Sequence, residues 1–289
     1  MNRWKNHILE WRDELLYRAR ALGDLIMPRT CVVCGRTLGL RERHLCLACA
    51  ADLPYTRNWL QAHNPLADRF NAVLERHRGT EPMDYAYAAA LMIYKGDYRN
   101  IPRALKYHEN MDIGRFYGTL LGRRLAAAPH FQDVDLIIPV PLHWTRRRSR
   151  GYNQAEILAR AIADAFASGC ACHPELLIRA RRTRTQTRLS VEQKARNVAS
   201  AFLVPERFPF NFRLRKALFP KQFQGVSLKP DSESPHEVLA SARHILLVDD
   251  TFTTGATLYA CYSALRPYTS ARISVATLAA VEGTPSSGP

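Results

Sequence analysis

Asp249 and Asp250 stand side by side in the stretch ILLVDDTFTTGAT, residues 245–257. Four apolar residues precede them, and threonines at 251, 253, 254 and 257 follow together with Gly255. Like charges repel, so the pair requires a partner: a metal ion, a set of hydroxyls or a cationic neighbour. The apolar run reads as a buried strand. Its end would deliver both carboxylates to the carboxyl edge of a parallel sheet, where α/β proteins hold their ligands. The Thr/Gly stretch turns directly into a helix predicted over 256–265. Backbone N–H groups at a helix start, with hydroxyls around them, form a phosphate cradle, and Gly255 permits close backbone approach. An acid pair for hydroxyls beside a cradle for phosphate fits a ribose 5-phosphate.

Two further groups of residues could do chemistry. Cys31 and Cys34 are separated by two residues, as are Cys46 and Cys49, with eleven residues between the pairs. This spacing suits a closed tetrahedral Zn²⁺ site with four thiolates, whose role is folding or partner docking. A rubredoxin-like iron site and a redox pair are the alternatives, and His44 is read as a bystander. The second group is basic: 16 lysines and arginines against 5 acids lie between His143 and Lys216, in a chain of net charge +15. Such a concentration points to a polyanionic ligand, whether phosphate, pyrophosphate or nucleic acid. Cys170, Cys172 and His173 form a weaker metal-like string, read as ordinary packing, and Cys261 is read as core.

The elements that must position these residues follow from apolar periodicity. The 289 residues, 47% apolar, allow one sizeable α/β domain and a small accessory module. Residues 1–28 read as an amphipathic helix closed by Pro28, serving membrane contact or, on the preferred reading, packing. Residues 29–58 are the cysteine module, and 59–84 a polar linker with a helix over 66–77. The main domain spans 85–283. Strands are predicted over 86–94, 136–140, 176–178, 245–248 and 273–278, with helices over 113–127, 153–166 and 256–265. Alternation of this kind implies a parallel sheet with helices on both faces. Residues 205–242 hold five of the seventeen prolines and no clear period, and read as an insertion. No run is long and apolar enough for a membrane span. Glu10, Asp13 and Glu14 interrupt any signal-peptide core, so a cytoplasmic protein without stable membrane insertion is expected.

The stretch 245–258 resembles the signature of the type I phosphoribosyltransferases, which bind phosphoribosyl pyrophosphate (PRPP). The segments IIPVPLHWTRRRSRGYNQAEILAR and RTRTQTRLSVEQKARNVASAF, taken with the acid pair and the cysteine pairs, resemble more narrowly the competence protein F family. The likeness covers residues 25–282 apart from 205–242. It implies a type I phosphoribosyltransferase-like sheet preceded by a zinc ribbon.

The resemblance also implies roles. Asp249 and Asp250 would hold the ribose hydroxyls, and Thr251, Phe252, Thr253, Thr254, Gly255, Ala256 and Thr257 the 5-phosphate. His143 and the loop carrying Arg146 and Arg150 would receive pyrophosphate, with Lys106 as a further contact. Arg184 would sit on a lid over 181–197, closing on an oxocarbenium-like transition state. Mg²⁺ would arrive with PRPP. Thr253 stands where purine-salvage enzymes carry a base-directed aspartate, which argues against hypoxanthine or guanine as acceptor. Three readings remain: a phosphoribosyltransferase linked to DNA uptake and natural transformation; a single-stranded DNA-binding competence factor; and a PRPP-sensing adaptor for a competence helicase or another DNA-uptake protein.

Overall fold

The computed structural model of the chain describes residues 23–77, 84–107, 111–166, 170–179, 201–208 and 234–282. These residues divide into two compact units. One runs to Pro54 and takes in Gly96–Ile101; the other comprises Tyr55–Lys95 and the residues from Pro102 onward.

In the first unit, bridges pair Thr30 with Thr37 and Arg43 with Leu45, and helix α1 (Leu47–Ala51) starts directly after Cys46. Among the described residues, Val33, Leu38, Leu45, Leu53 and Ile101 are its buried aliphatic side chains. So small an apolar core calls for a cross-link of another kind.

The second unit carries α2 (Pro65–Arg76), β1 (Ala88–Ile93), most of α3 (Asn100–Tyr107), α4 (Met111–Ala126), β2 (Leu136–Pro139), α5 (Trp144–Arg150) and α6 (Gln154–Ala163). Then follow β3 (Ala171–Cys172), β4 (Ile178–Arg179), β5 (Phe202–Leu203), α7 (Pro235–Ser241), β6 (His244–Phe252), α8 (Ala256–Leu265) and β7 (Arg272–Ala280). Five strands form one parallel sheet in the order β1-β7-β6-β2-β3. The strand bearing the acid pair therefore runs between β7 and β2. Its first residues are apolar without alternation because both of its faces are covered.

The two layers can be told apart by the period of two along a strand. Ile245 and Leu247 join Ile273, Val275, Leu136 and Ile138 in a cluster with Phe70 and Leu74 of α2 and Leu258, Cys261 and Leu265 of α8. The alternate residues Leu246, Val248 and Ile137 are equally buried and face the opposite layer, where α6 lies on β2 and β6 and packs against α4. Those helices approach closely: a Cβ at Gly122 would stand 2.8 Å from the Ile162 Cα and 2.9 Å from its carbonyl oxygen. Helix α2 starts where Asn64 accepts hydrogen bonds from the N–H groups of Leu66 and Ala67 ahead of Pro65 at the first turn.

Several sequence expectations require correction. The strand predicted to end at Val248 continues to Phe252, because β7 runs alongside it and pairs Asp249 with Thr277 and Thr251 with Ala279. Residues 176–178 do not join the parallel sheet, and only Ile178 belongs to a strand, β4 of a separate two-stranded sheet. Leu176 and Leu177 are buried beneath the sheet cluster, while Ile178 and Arg179 pair antiparallel with Leu203 and Phe202. The parallel edge strand is instead the two-residue β3, beside β2. Residues 144–150, read as a loop, are a helix. The segment read as a linker supplies Leu66, Phe70 and Leu74 to the core. Within the expected insertion, residues 235–241 are helical, started by a capping box between Ser234 and Glu237; residues 209–233 lie outside the described residues. So do residues 1–22 of the predicted amino-terminal helix.

At the amino edge of the sheet, His244 Nδ1 meets Asp133 Oδ1 at 2.7 Å and His244 Nε2 meets Ser274 Oγ at 2.8 Å. The order of groups is that of a hydrolase triad, but His244 and Ser274 are both fully buried. Burial lowers the His244 pKa, so the trio acts as a satisfied internal network. Among the described residues, no helix is long and apolar enough to cross a membrane.

Candidate functional site

The carboxyl edge of the sheet gathers charged side chains from four elements, β6, α3, β4 and α5. Asp250 Oδ2 forms an ion pair with Lys106 Nζ at 2.8 Å. Asp249 follows Leu247 by two positions and so shares its face, the one that carries α8, whereas Asp250 shares the face of Val248. The two acids thus point to opposite sides of the sheet. The Asp250 backbone N–H donates to Asp249 Oδ1 at 2.8 Å.

Burial raises the Asp249 pKa to about 7, and the neighbouring Asp250 charge adds to the rise. The Asp250 N–H, Lys106 and Arg179 oppose it. Arg179 is the residue that sequence reading missed. It belongs to β4, is held over the Phe202 ring 5.2 Å from its centroid, and burial with the nearby Arg146 charge lowers its pKa. No local signal separated Arg179 from the other arginines around it. Its place depends on a strand pair whose members are more than twenty residues apart.

The phosphate-cradle residues divide by role. Phe252 is buried in the strand, Thr253 and Thr254 are exposed, and Gly255 caps α8 in the left-handed region at φ 80°. Any other residue there would be strained, and its Cβ would lie 3.0 Å from the Phe252 ring. Thr254 Oγ1 accepts from the Ala256 N–H at 3.4 Å. Thr257 is half-buried on the first turn of the helix. Among the described residues, Thr251 Oγ1 is buried with no hydrogen-bond partner, an orphan polar atom beside the acid pair.

Pro139 of β2 pairs with Val248, so the chain leaving β2 begins beside the acid pair. His143 is buried and caps α5, and its Nδ1 accepts from the Thr145 N–H at 3.3 Å. That bond places the ring proton on Nε2. Arg146 is exposed on α5, and Arg150 donates to Gln154 Oε1 at 3.2 Å. Gln154 Nε2 is buried and lacks a partner among the described residues. Asn153 Nδ2 fixes this turn by donating to the Val140 carbonyl at 3.0 Å. Arg184 and the predicted lid lie outside the described residues. Cys261, on the side of α8 facing Asp249, is pushed well up by burial and by that carboxylate, so its thiol is inert.

The first unit holds the other candidate centre. The thiols of Cys31, Cys34, Cys46 and Cys49 lie within 4.8 Å of one another and are unbridged. Cys34 Sγ and Cys46 Sγ are 3.7 Å apart, against about 3.8 Å for the edge of a tetrahedron of sulfurs ~2.3 Å from a zinc ion. Burial raises the Cys31 pKa, but hydrogen bonding from the backbone N–H groups of Cys34, Cys46 and Val33 outweighs it and brings the thiol down to about 7. The Gly35 N–H donates to the Cys31 carbonyl at 2.9 Å, closing the first knuckle. Four such thiols can hold a metal such as zinc.

No family model matches the chain. It is similar to DNA utilization protein YhgH of Salmonella typhimurium, 24% identical over 246 residues that cover 81% of this chain and 89% of that protein. The protein of the same name from Escherichia coli O157:H7 is 26% identical over 249 residues, again 81% and 89% of the two chains.

Asp249 makes stability pH-dependent in a defined direction. Between its ordinary value of 3.8 and about 7 the folded chain holds a proton that the unfolded chain has lost. Stability from this group is therefore intact below pH 4 and drains away as pH rises to 7. Asp249→Asn has no such charge to bury. Relative to the native chain it should gain on the order of 2–4 kcal/mol between pH 4.5 and pH 8, measured as the difference in urea unfolding at the two pH values. A gain that does not change with pH would contradict the assignment.

Proposed function

We propose that the carboxyl edge binds PRPP, with transfer of the 5-phosphoribosyl group and release of pyrophosphate. The observation that carries this reading is the acid pair with its cations, Lys106 on Asp250 and Arg179 beside Asp249, next to the left-handed cap at Gly255. Asp249 and Asp250 would accept hydrogen bonds from the ribose 2- and 3-hydroxyls. The N–H groups after Gly255 and the threonine hydroxyls would receive the 5-phosphate. Lys106, Arg146, Arg150 and His143 Nε2–H would face the pyrophosphate as its bond to the anomeric carbon breaks and the acceptor bonds to the same carbon. Mg²⁺ carried by the pyrophosphate oxygens would neutralise part of the leaving group's charge, and the carboxylates are hard oxygen donors of a type suited to that ion. The parallel sheet and the orphan atoms Thr251 Oγ1 and Gln154 Nε2 are consistent with a type I phosphoribosyltransferase-like pocket of the competence protein F kind.

The relatives' shared name supports a role for this chain in DNA utilisation or uptake. A second reading, direct contact with single-stranded DNA, is favoured by one feature. Trp144 is 63% exposed at the start of α5, ahead of the exposed Arg146, Arg147 and Arg148, a stacking surface beside phosphate-binding charge. The cysteine site we assign to structural zinc, since four thiolates at knuckle spacing close the coordination shell.

Two outcomes are expected. The double variant Asp249→Asn, Asp250→Asn should lose PRPP binding by at least about a hundredfold, the value of two charge-assisted hydrogen bonds, while binding of an oligo-dT strand stays unchanged. Calorimetry with Mg²⁺ measures the first and fluorescence anisotropy the second. Unchanged PRPP affinity would overturn the pocket. Elemental analysis should find one zinc per chain, falling to none in Cys46→Ser; a metal-free native chain that keeps its fold would remove the zinc assignment.

A further inference from the structure

Helix α2 lies behind the phosphate loop and touches it at three places. Arg69 donates from one guanidinium nitrogen to the Thr253 carbonyl at 2.8 Å and from the other to the Val281 carbonyl at 2.5 Å. The same guanidinium stands over the Phe252 ring, 5.3 Å from its centroid. One position on, Phe70 meets the Phe252 ring edge-on with centroids 6.3 Å apart. One turn on, Val73 stands 3.6 Å from the place a Cβ on Gly255 would occupy.

We infer that Arg69 is the positioning residue of the phosphate loop. The loop is pinned on both sides of its turn. Upstream, Phe252 is the last residue of β6 and its carbonyl accepts from the Val281 N–H at 2.9 Å. Downstream, Gly255 is left-handed and packs against the same ring, which stands 3.0 Å from the place a Cβ would occupy. Arg69 ties these together: it presses on the ring, holds the Thr253 carbonyl, and joins that carbonyl to the end of β7 through Val281. Turning the Thr253 carbonyl toward α2 leaves the Thr254 N–H of the same peptide plane to point the other way. Burial lowers the Arg69 pKa, yet a guanidinium stays charged at any working pH, so the clamp does not switch with pH. Lysine offers no planar fork for two carbonyls and cannot lie flat on the ring in the same manner.

The inference rests on the PRPP reading and concerns only the 5-phosphate end of the ligand. The experiment is calorimetry with Mg²⁺ on the full chain, using PRPP and inorganic pyrophosphate as separate probes, for native protein, Arg69→Met and Arg69→Lys. Arg69→Met should weaken PRPP about tenfold, the value of one aligned charge-assisted hydrogen bond, and leave pyrophosphate affinity unchanged. Arg69→Lys should fall between the two. A merely structural role would weaken both probes together, and that result overturns the inference, as does PRPP affinity equal to native in both variants. Should the methionine variant fail to fold, the PRPP-to-pyrophosphate affinity ratio of the lysine variant decides alone. If native protein binds no PRPP, the parent reading falls and this one with it; loss of this inference alone leaves native binding intact.

Discussion

Everything at the carboxyl edge depends on keeping two adjacent carboxylates at the end of a buried strand. A parallel strand covered on both faces sends successive side chains to opposite layers, so Asp249 and Asp250 leave the backbone in opposite directions despite being neighbours. Lys106 pairs with Asp250 at 2.8 Å, and the charges of both Lys106 and Arg179 favour ionisation of Asp249. Even so, burial and mutual repulsion leave Asp249 reluctant to ionise. The fold thus tolerates an acid it would be more stable without. Sites shaped for a ligand often carry such a cost.

The rest of the sheet supplies what this edge needs. Strand β7 extends β6 past the acid pair to Phe252, which sets the ring that backs Gly255. Strand β2, in register with β6 through Pro139 and Val248, brings the turn of His143 and α5 alongside. The hydroxyls, amide and cations collected there would be an odd expenditure of buried polar groups in a purely structural corner. Thr251 Oγ1 and Gln154 Nε2 in particular find no partner among the described residues, and buried polar atoms are seldom left unpaired.

Much of this was legible in the sequence where local pattern and final structure agree. The apolar run before Asp249 and the helix over 256–265 could be read from periodicity, and the cysteine spacing from ligand geometry. Residues 144–150 were not legible as a helix because an arginine run has no apolar stripe; the His143 cap and the left-handed Gly151 bound it instead. Arg179 was hidden for a different reason. Its position is set by pairing with Phe202 and by the packing of Leu176 and Leu177, and neither is a local property. The helix expected over 66–77 is present as α2, and the period of its Leu66, Phe70 and Leu74 is what carries it into the core. Helix α2 is both core and backing for the turn between β6 and α8.

The central claim is that a 5-phosphoribosyl group occupies the edge between the acid pair and the start of α8. A crystal structure of the protein grown with PRPP and Mg²⁺ tests it most directly. Density for the ribose should place its hydroxyls within hydrogen-bond distance of Asp249 and Asp250, with the 5-phosphate on the N–H groups following Gly255. Density at another site, or an empty edge at saturating PRPP, would contradict the account.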